Sequence, residues 1–351
     1  MRSVAEAILS TPIFLISLLT AIPTQAQTVE GDSSANTTVG RNTTQQTFSI
    51  EGGTIRGQSL LHSFETFSPA TWAVDFDLTD ARYNDINFVI SRVTGGESSL
   101  IDGTVSLSAN SNPDLFLINP AGISFGANAT LQLPGSFVAS TAESVLFKHQ
   151  TVSTANAETI PMLSVSVPTG LQMGTSSGAI AHIGTGHTLT SQPDPLFAPY
   201  RFDSSVAPSI GLRVPSNETL ALVGNTLNIQ GGTLTADGGH IALISLSEGD
   251  VDITQQNQPI RLAANPESTP FQNIELGQRA LLDVSGTTTG GINIQGRRIT
   301  LTDGATVWSQ NRGSADGDDI TIQATESLML SGQLTQGAML SSIISSTVDS
   351  G

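Results

Sequence analysis

The chain has 351 residues and a formal net charge of −17, with 13 Lys plus Arg against 30 Asp plus Glu, and it contains no cysteine. The acidic excess argues against nucleic acid and anionic lipid as partners, because little positive charge is available to neutralise phosphates. The absence of cysteine excludes disulfides, thiolate metal sites and cysteine nucleophiles. Hydrophobic residues make up 38% of the chain, enough for a sizeable core.

The N-terminus has the features of a secretory signal peptide. Arg2 precedes an apolar stretch over residues 8–22, and small residues ending in Ala26 follow it. Polar residues and a proline interrupt the apolar stretch, so its uninterrupted part is too short to span a membrane comfortably. The sequence therefore predicts a signal peptide over residues 1–26, cleaved between Ala26 and Gln27, and a chain exported to the bacterial envelope or beyond.

From about Ser49 onward, short runs of alternating apolar residues predict β-strands. Gly, Asn or Asp interrupts the alternation about every ten to fifteen residues, as expected at turns. After the predicted signal peptide, no stretch carries a convincing helical spacing of apolar residues. The residues predicted to share one face of a strand are Val105 and Leu107, Leu115 and Leu117, Leu131 and Leu133, Leu163 with Val165 and Val167, Leu227 and Ile229, and Ile241 and Leu243.

The most distinctive motif, NPAGI, lies inside the segment DLFLINPAGISFGANATLQLPGSFVAST. Pro120 fixes its own φ and biases Asn119 toward extended geometry, while Gly122 tolerates a positive φ. These preferences predict a β-turn between strands at residues 115–118 and 123–125. The Asn119 side chain can close this turn by hydrogen bonds with nearby backbone amides.

With this motif the sequence resembles the N-terminal secretion domain of filamentous haemagglutinin-type exoproteins, the exported partners of two-partner secretion systems. That family carries an Asn-Pro-Asn-Gly-Ile motif inside a right-handed parallel β-helix. This chain has Asn119, Pro120, Gly122 and Ile123, but Ala121 stands where the family usually has its second Asn.

Two further blocks resemble the family in the same order along the chain. They are GGTIRGQSLLHSFETFS, which contains His62, Ser63 and Phe64, and ISRVTGGESSLIDGTV, which contains Arg92, Val93, Thr94, Gly95 and Gly96. A second family motif, Asn-Pro-Asn-Leu, does not occur in that exact form. The chain therefore resembles the cyanobacterial-like branch that carries RVTGG blocks.

The resemblance implies a secreted or cell-surface protein that passes through the periplasm, with no enzymatic activity and no cofactor. It implies that the N-terminal domain is recognised, while unfolded, by the periplasmic POTRA domains of a dedicated outer-membrane β-barrel transporter. It also implies an adhesin or haemagglutinin-like role, with carbohydrate or protein on a host or neighbouring cell as a further partner.

A proline-rich segment, PDPLFAPYRFDSSVAPSIGLRVP, occupies residues 193–215 and carries five prolines. Proline cannot donate to a strand ladder, so we interpret the segment as a loop or extension. It separates a secretion domain over residues 27–192 from a repeat region over residues 216–351. An ordinary connection inside one continuous solenoid is the alternative.

The C-terminal third repeats itself. GINIQGRRITLTDGA, residues 291–305, superposes on DITIQATESLMLSGQ, residues 319–333, with one inserted residue, and GGHIAL at 238–243 echoes the same opening. The alignment pairs Ile292 with Ile320, Ile294 with Ile322, Ile299 with Leu328, and Leu301 with Leu330.

A unit of about 28 residues that holds only short strands must stack on its neighbours to bury its apolar side chains. The repeat therefore predicts an all-β chain folded as a parallel β-helix. A β-sandwich is the rival, disfavoured because Asp102-Gly103 and Asp303-Gly304 are only imperfect candidates for a two-residue hairpin turn. The chain stops where another repeat would begin, which predicts that the natural protein extends past residue 351 or that the gene is truncated.

Other side chains were weighed as sites, since β-helices include polysaccharide lyases and hydrolases. Two acidic groups could bind calcium or act as paired carboxylates, but a solvated strand face and a turn are the preferred interpretations. His62 is interpreted as a turn or cap residue, and Trp308 as a core or corner residue rather than a platform for sugar. The acidic groups are Asp75, Asp77 and Asp80, and Asp316, Asp318 and Asp319.

The sequence predicts no metal site: His182 and His187 lack the spacing and acidic neighbours of a zinc site. The favoured function is a two-partner secretion exoprotein with adhesin-like activity. A β-helical carbohydrate-active enzyme and a structural fibre of an extracellular matrix are the alternatives.

Overall fold

A computed structural model describes residues 27–155, 157, 167–191, 200–202, 210–255, 259–288, 290–314, 317–332 and 340–347. The predicted signal peptide, with Ala26 at its end, lies outside the described residues, as do Leu163, Val165 and Asp316. Over the described part of the chain, no helix reaches the length and hydrophobicity that a membrane crossing requires.

The described residues form short β-strands almost throughout, with one 3₁₀ helix at Ala81–Tyr83. In chain order the strands are β1 (Thr28–Gly31), β2 (Thr37–Asn42), β3 (Thr47–Gly52), β4 (Thr54–Arg56), β5 (Ser59–Ser68), β6 (Ala73–Leu78), β7 (Phe88–Val93), β8 (Ser99–Ile101), β9 (Thr104–Ala109), β10 (Asp114–Ile118), β11 (Ile123–Phe125), β12 (Thr130–Gln132), β13 (Phe137–Ser140), β14 (Ser144–Phe147), β15 (Gln150–Ser153) and β16 (Pro168–Met173). They continue with β17 (Ile180–Ile183), β18 (Leu189–Ser191), β19 (Tyr200–Phe202), β20 (Leu212–Arg213), β21 (Thr219–Gly224), β22 (Leu227–Gln230), β23 (Thr233–Thr235), β24 (His240–Ser245), β25 (Gly249–Thr254), β26 (Arg261–Ala264), β27 (Ile274–Gly277), β28 (Leu281–Asp283), β29 (Gly291–Leu301), β30 (Thr306–Asn311), β31 (Ile320–Leu330) and β32 (Ser342–Thr347).

Most strands pair in parallel with the strand one turn of chain away, and these ladders form three faces. The first face contains β5, β7, β10, β13, β21, β24 and the first halves of β29 and β31. The second contains β8, β11, β17, β22, β27 and the second halves of β29 and β31. The third contains β3, β6, β9 and β12, then β20, β23, β28, β30 and β32. The predicted parallel β-helix is confirmed.

The interior of the coil is lined by the alternate residues that the sequence placed on one side of each strand. Leu115 and Leu117 of β10, Ile123 of β11 and Leu131 of β12 are all buried in this core. Each fully buried side chain of this size contributes roughly 1.5–3 kcal/mol through the hydrophobic effect. No single strand could bury these residues alone, so stacking of successive coils is what stabilises them.

The repeat alignment is confirmed residue by residue. Ile292 lies opposite Ile320 and Ile299 opposite Leu328 in the ladder between β29 and β31, and the other two predicted pairs are also in register. The register shifts between Gly296 and Arg298, which accommodates the inserted residue. The GGHIAL echo is also confirmed, because Ile241 lies opposite Ile292.

A second core, which the sequence did not predict, covers the outside of the first face. β14, β15, β16, β25 and β26 form an antiparallel sheet. Its Val145, Leu171 and Val251 pack in one cluster with Phe116 and Val138 of the first face. Strands of the first face are therefore buried on both sides, which explains why they read as nearly continuous apolar runs.

The proline-rich segment is described only in part. Tyr200–Phe202 pairs antiparallel with β18, and Leu212–Arg213 pairs with β23 in the third face, so the coil resumes before residue 216. Residues 193–199 and 203–209 lie outside the described residues. The division into domains at residues 192 and 216 stays a prediction.

Candidate functional site

The NPAGI motif forms the corner between the first and second faces. The Gly122 amide donates a 3.0 Å hydrogen bond to the Asn119 carbonyl, which closes a turn between β10 and β11 as predicted. Gly122 has φ +121°, and a Cβ there would lie 3.2 Å from the Ala179 carbonyl oxygen. Glycine is therefore required both by the backbone conformation and by the next coil.

The Asn119 side chain closes the turn and also holds it to the preceding coil. Its Oδ1 accepts a 3.0 Å hydrogen bond from the Ala121 amide, as predicted. Its Nδ2 donates to the Glu97 carbonyl and to Ser99 Oγ, both at 2.9 Å. Asn119 is fully buried, so these partners replace water. The sequence did not predict the link to Glu97 and Ser99.

The RVTGG block forms the corner one coil earlier, directly against the NPAGI corner. The Thr94 amide donates a 2.8 Å hydrogen bond to the Phe64 carbonyl, which continues the ladder into the turn. A Cβ on Gly95 would lie 2.2 Å from the Glu65 carbonyl oxygen, so no side chain fits there. Gly96 has φ +79° and open space around it. The two adjacent glycines thus meet different needs: close approach and backbone conformation.

Arg92 joins the two other family blocks. Ser63 of β5 lies opposite Arg92 of β7, and Arg92 Nε donates a 2.7 Å hydrogen bond to Ser63 Oγ. Arg92 Nη2 donates to Ser34 Oγ at 2.8 Å, and Nη1 donates to the Ser153 carbonyl at 2.6 Å. The side chain is buried, so these partners take the place of water around the guanidinium.

Asp32 supplies the negative charge of this cluster. It accepts hydrogen bonds from the hydroxyls of Ser34, Ser63 and Thr94. Partial burial raises the pKa of Asp32, but these hydrogen bonds outweigh it and hold the pKa below its ordinary value. Because Asp32 follows β1, the cluster fixes the N-terminal segment against the first coils. No sequence pattern points to Asp32 or Ser34, since neither belongs to a family block.

His62 does not occupy a turn, so its interpretation as a turn or cap residue is wrong. It lies within β5, is 1% exposed, and its ring centroid lies 5.6 Å from that of Phe76. Among the described residues, neither of its ring nitrogens has a hydrogen-bond partner. Burial lowers the pKa of His62 to about 3, so the imidazole is neutral in the folded chain. Phe64 and Val93, from the same blocks, are also core residues.

A third corner, which the sequence analysis missed, stacks on the NPAGI corner. The Gly178 amide donates a 2.7 Å hydrogen bond to the Pro120 carbonyl. In the following coil the Asn225 amide donates to the Gly178 carbonyl, and Asn225 Nδ2 donates to the Ser177 carbonyl, both at 3.0 Å. The available signal was the position of Asn225, directly after the apolar run TLALVG and before the next strand.

The first acidic group has the structural role that was preferred for it. Phe76 and Leu78 of β6 point into the core, while Asp75 and Asp77 lie on the outer side. Asp75 accepts hydrogen bonds from Ser106 Oγ at 2.6 Å and from Ser108 Oγ at 3.1 Å in the next coil. Asp75 therefore joins two coils on the outer side of the third face.

Asp318 lies in a groove of about 360 Å³ with His240 and Arg261. Its Oδ2 lies 2.5 Å from Arg261 Nη2 and 3.3 Å from His240 Nε2. Arg261 Nη1 lies 3.4 Å from His240 Nδ1, so both ring nitrogens already face a partner. The Asp318 carboxylate and the His240 imidazole therefore contact each other, and both contact Arg261. Within the described ranges, no group of three or more His, Asp or Glu side chains is placed to hold a metal ion.

Trp308 is a core residue, as preferred. It is 1% exposed on the outer side of the third face, where it packs with Leu189 and Leu281. Its ring centroid lies 5.5 Å from that of Phe202 on β19. A buried indole offers no open face to a sugar ring.

A family model for the TPS (two-partner secretion) secretion domain matches residues 26–296. The chain belongs to the TPS secretion domain family. The match includes all three sequence blocks and runs through the corners at Asn119 and Asn225. As a TPS exoprotein, the chain is exported and secreted across the outer membrane, and it has a cognate outer-membrane transporter as its partner.

Two solved structures resemble this TPS exoprotein. The HMW1 secretion domain from Haemophilus influenzae is 16% identical, with a TM-score of 0.46, and the likeness covers 92% of this chain and 84% of that one. The filamentous hemagglutinin secretion domain is 14% identical, with a TM-score of 0.45, over 90% of this chain and 100% of that one. No curated protein sequence matches the chain.

Proposed function

We propose that the NPAGI corner serves export in the unfolded chain and coil formation afterwards. The chain crosses the inner membrane by the general secretory route, led by residues 1–26. The POTRA domains of its cognate transporter then engage the segment around residues 27–192 while it is extended. The chain folds outside the cell and acts at the surface as an adhesin.

The burial of Asn119 is the observation that supports this proposal. Its side chain is fully buried and bonded to Glu97, Ser99 and Ala121 in the folded coil. A transporter that reads this side chain must do so before the corner closes. An extended segment with alternating side chains suits recognition by strand addition, which uses backbone hydrogen bonds and pockets for every second side chain.

The topology supports passage of an unfolded chain. Ser63 pairs with Arg92, and Leu115 pairs with Phe137, so each rung of the ladder joins residues more than twenty positions apart. Parallel pairing between residues far apart in the sequence forms slowly, because the chain loses the entropy of loop closure before the strands make stabilising contacts. The absence of cysteine also means that no disulfide can lock the chain in the periplasm.

The test is secretion with and without the cognate transporter. We expect a variant with Asn119→Ala and Pro120→Ala to show several-fold less protein in the medium and more in the periplasm. Asn87→Ala is the matched control, since Asn87 is exposed just before β7. Secretion of the double variant at the wild-type level would overturn the role of the motif in export.

The adhesin role has a separate test. Purified mature chain, beginning at Gln27, should bind to host cells or to neighbouring bacterial cells. Inhibition of binding by soluble cell-surface glycan would identify the partner as carbohydrate, and loss of binding after protease treatment of the cells would identify it as protein. Absence of binding to any cell surface would remove the adhesin role and leave the export role intact.

A further inference from the structure

We propose that Asn225 is a second corner clamp, which does for the coil of β21 and β22 what Asn119 does for the coil of β10 and β11. Asn225 belongs to none of the family blocks. It is a positioning residue that acts through the corner it closes. The inference concerns assembly of the coil and is independent of how the transporter is engaged.

The two asparagines make the same contact in different coils. Asn119 Nδ2 donates to the Glu97 carbonyl at 2.9 Å, and Asn225 Nδ2 donates to the Ser177 carbonyl at 3.0 Å. In each case the acceptor lies in the corner of the preceding coil. Both corners lead from the first face to the second, because the strands that follow begin at Ile123 and Leu227.

The corners differ in length, which hides their equivalence in the sequence. Asn119 stands four positions before Ile123, whereas Asn225 stands two positions before Leu227. Nevertheless Ile123 and Leu227 occupy the same ladder position, since both pair with Ile180. Sequence spacing alone therefore does not align the two asparagines.

A physical need explains why an amide is used at both corners. At a corner the ladder between strands is interrupted, so backbone carbonyls such as those of Glu97 and Ser177 require another donor. A side-chain amide supplies that donor without requiring the two corners to have the same length. Loss of the donor leaves a carbonyl that must find water or remain unsatisfied.

The contacts continue into the following coils. Ser245 Oγ donates to the Asn225 carbonyl at 2.8 Å, and Arg297 Nη2 donates to Asn273 Oδ1 at 3.1 Å. In both contacts the acceptor lies in the preceding coil, as it does for Asn119 and Asn225. Asn225 therefore sits in the middle of a column of corner contacts that runs from Glu97 to Arg297.

Substitution of the amide tests the proposal. Asn225→Asp keeps the size of the side chain but replaces its N–H donors by oxygen, and Asn225→Ser is a milder change that retains a shorter donor. Asn228→Asp is the matched control, because Asn228 lies in the same coil but is exposed. Asn119→Asp is the reference, since Asp can still accept from the Ala121 amide while the donor to Glu97 is lost.

Amide hydrogen exchange on the purified mature chain gives the local measurement. In Asn225→Asp, the amides of Asn225 and Gly178 should exchange about three- to tenfold faster, as expected for loss of one hydrogen bond. In the wild type the Asn225 amide donates to the Gly178 carbonyl, and the Gly178 amide donates to the Pro120 carbonyl. Asn225→Ser should lie between the wild type and Asn225→Asp. Equal exchange in Asn225→Asp, Asn228→Asp and the wild type would overturn the proposal.

Refolding from denaturant gives a second measurement that needs no transporter. Asn225→Asp and Asn119→Asp should both refold several-fold more slowly than Asn228→Asp. If only Asn119→Asp refolds slowly, the two corners are not equivalent and the proposal fails. Wild-type secretion of the variant with Asn119→Ala and Pro120→Ala would overturn only the export role, so the two proposals fail in distinguishable ways.

Discussion

Ser63 and Arg92 lie opposite each other on neighbouring strands, and Arg92 Nε donates a 2.7 Å hydrogen bond to Ser63 Oγ. Ser63 Oγ in turn donates to Asp32 Oδ2. This chain of contacts links two blocks that lie 29 positions apart in the sequence to the N-terminal segment. The blocks are therefore parts of one buried polar cluster rather than separate surface sites.

Replacement of Arg92 should destabilise the domain strongly. Arg92→Ala leaves the partners of a buried cation unsatisfied, and we expect the free energy of unfolding to fall by about 3 kcal/mol. Chemical denaturation monitored by tryptophan fluorescence measures this change. Arg82→Ala is the control, because Arg82 makes an exposed ion pair with Asp80 and lies over the Tyr83 ring, and its loss should change the free energy by less than about 1 kcal/mol. Equal effects of the two substitutions would contradict the role of the cluster.

Acid should destabilise the folded chain through His62. Its pKa is about 3 when folded and 6.5 as the reference value, so the unfolded state binds a proton first. Above pH 6.5 the ring is neutral in both states, and His62 does not reduce the free energy of unfolding. As the pH falls from 6.5 toward 3, this free energy decreases progressively, because the unfolded state takes up a proton that the folded state does not. At pH 5.5 the loss is about 1.4 kcal/mol relative to pH 7.5.

His62→Leu removes this contribution. The difference in unfolding free energy between pH 7.5 and pH 5.5 should be about 1.4 kcal/mol smaller in the variant than in the wild type. Urea unfolding at the two pH values measures it, and other titrating groups cancel in the comparison. An unchanged pH dependence in the variant would contradict the lowered pKa, because it would mean that His62 binds its proton equally well in the folded and unfolded chains.

Asp114 should have the opposite pH dependence. Burial, together with the nearby charge of Glu218, raises its pKa to about 6, although the Ser136 amide donates a hydrogen bond to it. The folded state therefore binds a proton more readily than the unfolded state. Above pH 6 the ionised Asp114 lowers the free energy of unfolding by its full amount, and this destabilisation decreases as the pH falls and is lost below about 3.8.

Asp114→Asn should consequently stabilise the domain at pH 7.5 by about 3 kcal/mol and have little effect at pH 4. An asparagine oxygen can still accept from the Ser136 amide, which donates to Asp114 Oδ1 at 2.8 Å. Thermal melting of both chains across that pH range provides the measurement. Destabilisation at pH 7.5 would mean that the carboxylate is better solvated than its 2% exposure indicates.

The two glycines of the RVTGG block should differ in their tolerance of a side chain. In Gly95→Ala the new Cβ would lie 2.2 Å from the Glu65 carbonyl, so the corner must shift, and we expect a loss of about 3 kcal/mol. In Gly96→Ala only the positive φ is strained, which costs about 1 kcal/mol. Melting temperatures should therefore rank wild type, then Gly96→Ala, then Gly95→Ala, and the reverse order of the two variants would refute the packing argument.

The features that the sequence predicted correctly depend on local pattern. Alternating residues such as Leu115 and Leu117 must face one side of a strand, and Pro120 with Gly122 restricts the backbone to a turn. The repeat also predicted the register between its strands, since Ile292 and Ile320 can be aligned from the sequence alone. Each of these conclusions needs only neighbouring residues or internal similarity.

The tertiary structure alone decided which distant residues meet. His62 was interpreted as a turn or cap residue, but β5 places it inward against Phe76. The antiparallel sheet over the first face arises from insertions after Ser140 and Ser245, and nothing in their local pattern specifies which surface they cover. Contacts across coils depend on the number of residues in each turn of the chain, and a single sequence does not reveal that number where the turns are irregular.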